Sequence, residues 1–109
     1  MIRALTSLLA LALASGAALA QGVTDSQIVL GQSVALSGPA QELGKDMQLG
    51  ASLYFNEVNA KGGVNGRKIV LKTLDDDNKG NQAETNARQL VEQDKVFILL
   101  GSIEGGPST

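Results

Sequence analysis

The sequence contains no cysteine and no histidine. Without cysteine no disulfide can staple the chain, and no lipid can be joined to it through a cysteine at a cleavage site. Lacking both residues, the chain cannot build the usual zinc sites or the acyl-transfer centres that pair a nucleophile with an imidazole. Basic charge is also scarce: nine Lys and Arg stand against eleven Asp and Glu, for a net charge of −2. No basic patch is available to hold a phosphate backbone, which argues against nucleic acid as a partner. Nor is there an apolar run at the N-terminus long enough for a bilayer. The strongly apolar stretch from Leu5 to Ala14 falls short of the roughly 20 residues a span requires, and Ser15 and Gly16 interrupt it.

What that stretch does match is an export label. One cation, Arg3, precedes the apolar run, and Ala18-Leu19-Ala20 puts small residues at the two positions a signal peptidase reads. Residues 1–20 are therefore expected to be a signal peptide, cut between Ala20 and Gln21. The mature part, residues 21–109, loses Arg3 and becomes slightly more acidic. An exported chain without disulfides needs a substantial core or belongs to something larger.

The remaining residues fall into five segments. "QIVLGQSVAL", Gln27 to Leu36, mixes Ile, Val and Leu with small residues pointing both ways, as in a strand buried on both faces. It ends at Ser37-Gly38-Pro39, a turn signal. A helix is predicted from about Gly44 to Ala60, with Leu43, Met47, Gly50, Ala51, Tyr54 and Val58 as its apolar stripe. Gly50 and Ala51 would let it lie close to a sheet. Lys61 and the pair Gly62-Gly63 supply a stop. Arg67 to Asp75 forms a second strand. A second helix is expected from about Gly80 to Gln93, with Ala83, Ala87, Leu90 and Val91 inward and Asn78 or Asn81 as its cap; Asn81 and Glu84 have capping-box spacing. "VFILL", Val96 to Leu100, is the third strand.

The order strand-helix-strand-helix-strand implies an α/β fold. Its strands are parallel, with right-handed crossovers and spatial order 2-1-3, the start of a doubly wound sheet with helices on both faces. Ligands in such sheets bind beyond the carboxyl ends of the strands where the order reverses. Here that point lies between strands one and three, at "LSGPAQELG" and "GSIEGGPST", two loops rich in Gly and Ser. Glycines that merely turn the chain are the plain alternative. Asp75-Asp76-Asp77 follows strand two, outside that point, and reads as a solvated charged turn in preference to a metal site. The first strand-helix turn has neither G-x-G-x-x-G nor G-K-[ST], so a nucleotide site is disfavoured.

These segments resemble, in order, the N-terminal part of periplasmic solute-binding proteins of the leucine/isoleucine/valine-binding family, the receptors of ABC importers. "ALSGPAQELG" is similar to the family's turn after strand one. "GASLYFNEVNAKGGVNGRKIVL" is similar to its first helix and Asn-x-x-Gly-Gly stop, and "DDDNKGNQAETNARQLVEQDKVFILLG" to its Asp-rich turn, second helix and third strand. The resemblance implies two lobes closing on a small polar metabolite such as an amino acid, a membrane permease as partner, a periplasmic location, no catalysis, and neither cofactor nor metal. It also implies that residues 21–109 supply only the start of lobe one.

By position, the resemblance makes Ser37, Gly38 and Leu43 after strand one, and Ser102, Ile103, Glu104 and Gly105 after strand three, the candidate ligand residues. In relatives that bind aliphatic amino acids, the second loop holds the ligand carboxylate. Here Glu104 would repel it unless paired, while Gly105 keeps a backbone N–H and leaves room. Glu104 either points away or meets a cationic or amide group. Leu43 stands where an aromatic often lines the pocket, and Lys79-Gly80 replaces an Asp-Pro helix start. A sensor domain of the same fold is the second reading, and an exported enzyme the third; no nucleophile paired with a base supports the third.

Overall fold

The computed structural model describes residues 19–101. Three strands and two helices alternate: β1 (Gln27–Val34), α1 (Gln41–Ala60), β2 (Lys68–Asp75), α2 (Gly80–Arg88) and β3 (Ile98–Leu99). The sheet has the order β2-β1-β3. β1 pairs in parallel with β2 along its whole length, from Gln27 opposite Lys68 to Val34 opposite Asp75, and with β3 through Leu30 and Gly31. The first crossover runs from β1 out to β2 and the second from β2 back across β1 to β3, in the opposite direction, so right-handed connection places α1 and α2 on opposite faces. Side chains agree with this. Ser33 of β1 reaches Asn86 of α2, while Asn59 of α1 meets the backbone of Ile69 in β2.

β1 ends at Val34, two residues short of the expected boundary. The cause is a change of partner: the N–H of Leu36 donates to a carboxylate oxygen of Asp75, not to a neighbouring strand. β3 is likewise shorter than the apolar run, although Phe97 and Leu100 still donate backbone bonds to Val29 and Gly31.

α1 begins at Gln41, three residues earlier than its pattern predicted, and the stripe it presents inward agrees with the expected one at Met47, Ala51 and Val58 but not at Leu43, Gly50 and Tyr54. Gly44 is its buried residue, with Met47, Ala51, Phe55 and Val58 partly covered on the same side. Leu43 and Tyr54 of the expected stripe are 55% and 63% exposed, and a side chain at Gly50 would meet nothing within 4 Å. The close approach to the sheet is made at Gly44, where a Cβ would run into the backbone of Ala35. At the other end the expected stop is present. Gly62 and Gly63 have positive φ, and their N–H groups donate to the carbonyls of Asn59 and Val58. Asn59 then uses its side-chain amide to bond both backbone groups of Ile69, at 2.7 and 2.8 Å, which covers part of an exposed strand edge.

α2 has no side-chain cap, so neither Asn78 nor Asn81 caps it. It passes at Gln89–Gln93 into one wide turn of π-helix, closed by the N–H of Asp94 on the carbonyl of Gln89. The extra residue in that turn changes the direction in which its side chains and those after it point. Leu90 becomes fully buried, but Val91, expected inward, is exposed. Leu90 joins Val34, Ala35, Ala83 and Val96 in the core.

Candidate functional site

The residues at the carboxyl end of β1 are held by the end of β2. Asp75 is the common anchor. Its Oδ1 accepts the N–H of Leu36 at 2.8 Å and of Asp77 at 2.9 Å, and its Oδ2 accepts the Ser37 hydroxyl at 2.7 Å. These bonds favour the charged form. The Ser37 hydroxyl first, then the two N–H groups, hold the Asp75 carboxyl below the usual carboxylate range, with slight burial opposing them.

Gly38 comes next with φ of +75°, a left-handed conformation that suits glycine. A Cβ there would also collide with the carboxylate of Asp77. The carbonyl of Gly38 accepts the N–H of Gln41 and so leads directly into α1. Leu43 lies in the first turn of that helix with its side chain exposed. Ser37, Gly38 and Leu43 are thus gathered at the end of β1. Ser102, Ile103, Glu104 and Gly105 lie outside the described residues, which end at Gly101 just after β3.

Of the three consecutive aspartates the middle one is not solvated, which corrects that part of the expectation, while Asp75 stays exposed. Asp76 is fully buried: its Oδ2 accepts the Ser33 hydroxyl at 2.7 Å and its Oδ1 accepts the N–H of Asn78. Asn86 donates from one amide nitrogen to Ser33 Oγ and to the carbonyl of Asp75. Asp77 pairs with Lys79 at 3.2 Å. Asp77 and Asn78 both adopt positive φ, which short polar side chains tolerate. Each aspartate is therefore occupied in shaping the loop. No group of three Asp, Glu, His or Cys side chains among the described residues could hold a metal ion. The sequence signal for this network is the polarity of Ser33 and Asn86, each set on an otherwise apolar face.

The periplasmic binding protein profile matches residues 27–107, most of the chain. The chain belongs to the periplasmic binding protein family. Leu/Ile/Val-binding protein homolog 7 from Brucella abortus is 39% identical over 95 residues, covering 87% of this chain and 23% of that protein. An amino acid binding protein from Pseudomonas aeruginosa is 36% identical over 76 residues, covering 70% of this chain and 20% of the relative. Among solved structures, the branched-chain amino acid transporter substrate-binding protein LivJ from Streptococcus pneumoniae, in complex with isoleucine, has a TM-score of 0.72 at 30% identity. That match covers 76% of this chain and 24% of LivJ. A fatty acid ABC transporter substrate-binding protein from Thermomonospora curvata has a TM-score of 0.68 at 32% identity, with 83% and 22% covered. This periplasmic binding protein chain thus spans about a quarter of the length of the relatives it matches.

Proposed function

We propose that the protein carrying this chain is the extracytoplasmic substrate-binding component of an ABC importer, and that its ligand is an amino acid or a similar small polar metabolite. The observation that carries the reading is the likeness to the isoleucine-bound LivJ over 76% of this chain. The curated relatives named for leucine, isoleucine and valine support it. The mechanism is binding without chemistry: ligand bridges two lobes, favours their closed arrangement, and the closed form docks on a membrane permease. The signal peptide read at residues 1–20 would deliver the protein to the periplasm.

Ser37, Gly38 and Leu43 are proposed as ligand-facing residues of the first loop, and Ser102, Ile103, Glu104 and Gly105 of the second. Two departures, Glu104 and Leu43, argue for a ligand that differs from leucine. The sensor reading has the same fold behind it, but the relatives' names favour transport.

Ligand bound to the native state raises its melting temperature, by an amount set by concentration over Kd. A thermal-shift screen of the full-length protein should include aliphatic, polar and cationic amino acids, simple amides and medium-chain fatty acids. An upward shift with an amino acid or amide is expected. A shift with fatty acids alone would overturn the ligand class.

A further inference from the structure

We propose that Asp75 is a positioning residue that sets the polarity of Ser37 toward the ligand, so that the Ser37 hydroxyl meets a donor group such as an ammonium or an amide N–H. This inference rests on the ligand-binding reading above. Three observations carry it.

The first is the direction of one bond. The Ser37 hydroxyl has a single proton, and it lies on Asp75 Oδ2 at 2.7 Å. A hydroxyl that has spent its proton retains only lone pairs, so toward anything else it is an acceptor. The second is that Asp75 is itself held. Its other oxygen takes two backbone N–H groups, from Leu36 in the same loop and from Asp77 in the next turn, so carboxylate and loop are fixed together. The third is the local charge. Asp77, whose Oδ1 lies against Gly38, is paired with Lys79, whereas Asp75 is held by neutral donors. A carboxylate and an acceptor hydroxyl on the exposed rim of the loop favour a cationic or donor group and disfavour a bare carboxylate.

Replacement by asparagine tests the polarity directly. Asp75→Asn keeps one oxygen for the N–H groups of Leu36 and Asp77 but turns an NH2 group toward Ser37. The hydroxyl must then accept from it and donate outward. The preference of the loop should reverse.

The experiment is calorimetry on the full-length protein with L-isoleucine and its deaminated analogue 3-methylpentanoate. It compares wild type, Asp75→Asn, Asp75→Ala, Ser37→Ala and the double alanine variant, all with melting curves as a folding control. Wild type should prefer isoleucine. Ser37→Ala and Asp75→Ala should each weaken isoleucine binding by about tenfold, and the double variant should be no weaker than Asp75→Ala. Asp75→Asn should narrow the isoleucine-to-analogue ratio by tenfold or more. Additive losses, or an unchanged ratio in a folded Asp75→Asn protein, would overturn the assignment. If wild type binds neither compound, an aliphatic amino acid is not the ligand, and the positioning claim is decided by NMR. A Leu36 amide signal that titrates with Asp75 in wild type but not in Asp75→Asn supports the latch; an amide insensitive to pH overturns it.

Discussion

The Ser33 hydroxyl donates to Asp76 at 2.7 Å inside the protein, between the central strand and α2. The same oxygen accepts a bond from Asn86, whose side chain also reaches the carbonyl of Asp75 and whose own oxygen accepts from Gln82. Every polar atom of this buried chain thus has a partner. A buried polar group stripped of its partner costs the desolvation it can no longer recover. Ser33→Ala should therefore lower the unfolding free energy of the full-length protein by about 1–3 kcal/mol, read by denaturant titration. Asp76→Asn should also destabilise, since an NH2 group would replace either the oxygen that accepts the Ser33 hydroxyl proton or the one that accepts the Asn78 N–H. If Ser33→Ala left the denaturation midpoint unmoved, the network would have no energetic role.

Two glycines in α1 should respond in opposite directions. Gly50 is exposed and has open space around it, so Gly50→Ala should stabilise by up to about 1 kcal/mol, the helix-propensity difference. At Gly44 the same gain is available, but the new Cβ would strike the carbonyl of Ala35. Overpacking of this kind costs about 1–3 kcal/mol, and backbone on both sides cannot swing aside, so the clash should win. Melting temperatures of the two variants decide it. A rise for Gly44→Ala would mean that α1 sits farther from β1 than described.

That contrast marks how much the sequence disclosed. Parallel order, 2-1-3 topology and the Gly62-Gly63 stop were legible, because apolar runs of strand length alternate with helical periods and handedness then leaves few arrangements. The inward face of α1 was legible only in part, at Met47, Ala51 and Val58. Its outward side also carries Leu43, Leu49, Leu53 and Tyr54, so periodicity alone offered two apolar faces, and only the closeness of Gly44 to Ala35 chose between them. The middle aspartate was misjudged for a related reason. Three adjacent carboxylates look solvated unless Ser33 and Asn86, distant in sequence, are known to meet the middle one. Of the candidate site, the loop holding Ser37 and Gly38 was found at the end of β1, while its anchor Asp75 was not foreseen in that role.

The Asp75 latch has a definite pH dependence. Its folded-state carboxyl titrates below the ordinary value because the Ser37 hydroxyl and two N–H groups favour the charged form. Such a group contributes stability above the unfolded value, about pH 4, and that contribution is lost as pH falls through the lower folded value. Wild type should thus show an acid-induced loosening of the Leu36–Gly38 loop below about pH 4 that Asp75→Asn lacks. Amide hydrogen exchange at Leu36 and Asp77 measures it. Identical exchange in both proteins across that range would remove the latch from the account.

Gln21, the first residue after the expected cleavage point, is already part of the fold. Its side-chain amide donates to the carbonyls of Val91 at 3.0 Å and Val96 at 3.1 Å, joining the segment before β1 to the wide turn after α2 and the approach to β3. Gly22 is next, with φ of +77° in a place where a Cβ would run into the backbone of Phe97, and its carbonyl accepts the N–H of Val29. Cleavage one or two residues later would remove this anchor. Cleavage after Ala20 keeps it and, among the described residues, loses only the bond from the Val23 N–H to the Ala20 carbonyl. Mass spectrometry of the periplasmic protein should accordingly find an N-terminus at Gln21, whereas an intact Met1 in the membrane fraction would sink the export reading. Gln21→Ala should lower stability by about 1 kcal/mol, because the two bonds are only partly shielded from water. It should speed hydrogen exchange at Phe97 more than in the α1 half of the sheet. Uniform acceleration across the sheet would show that Gln21 supports the fold in general and not this edge of it.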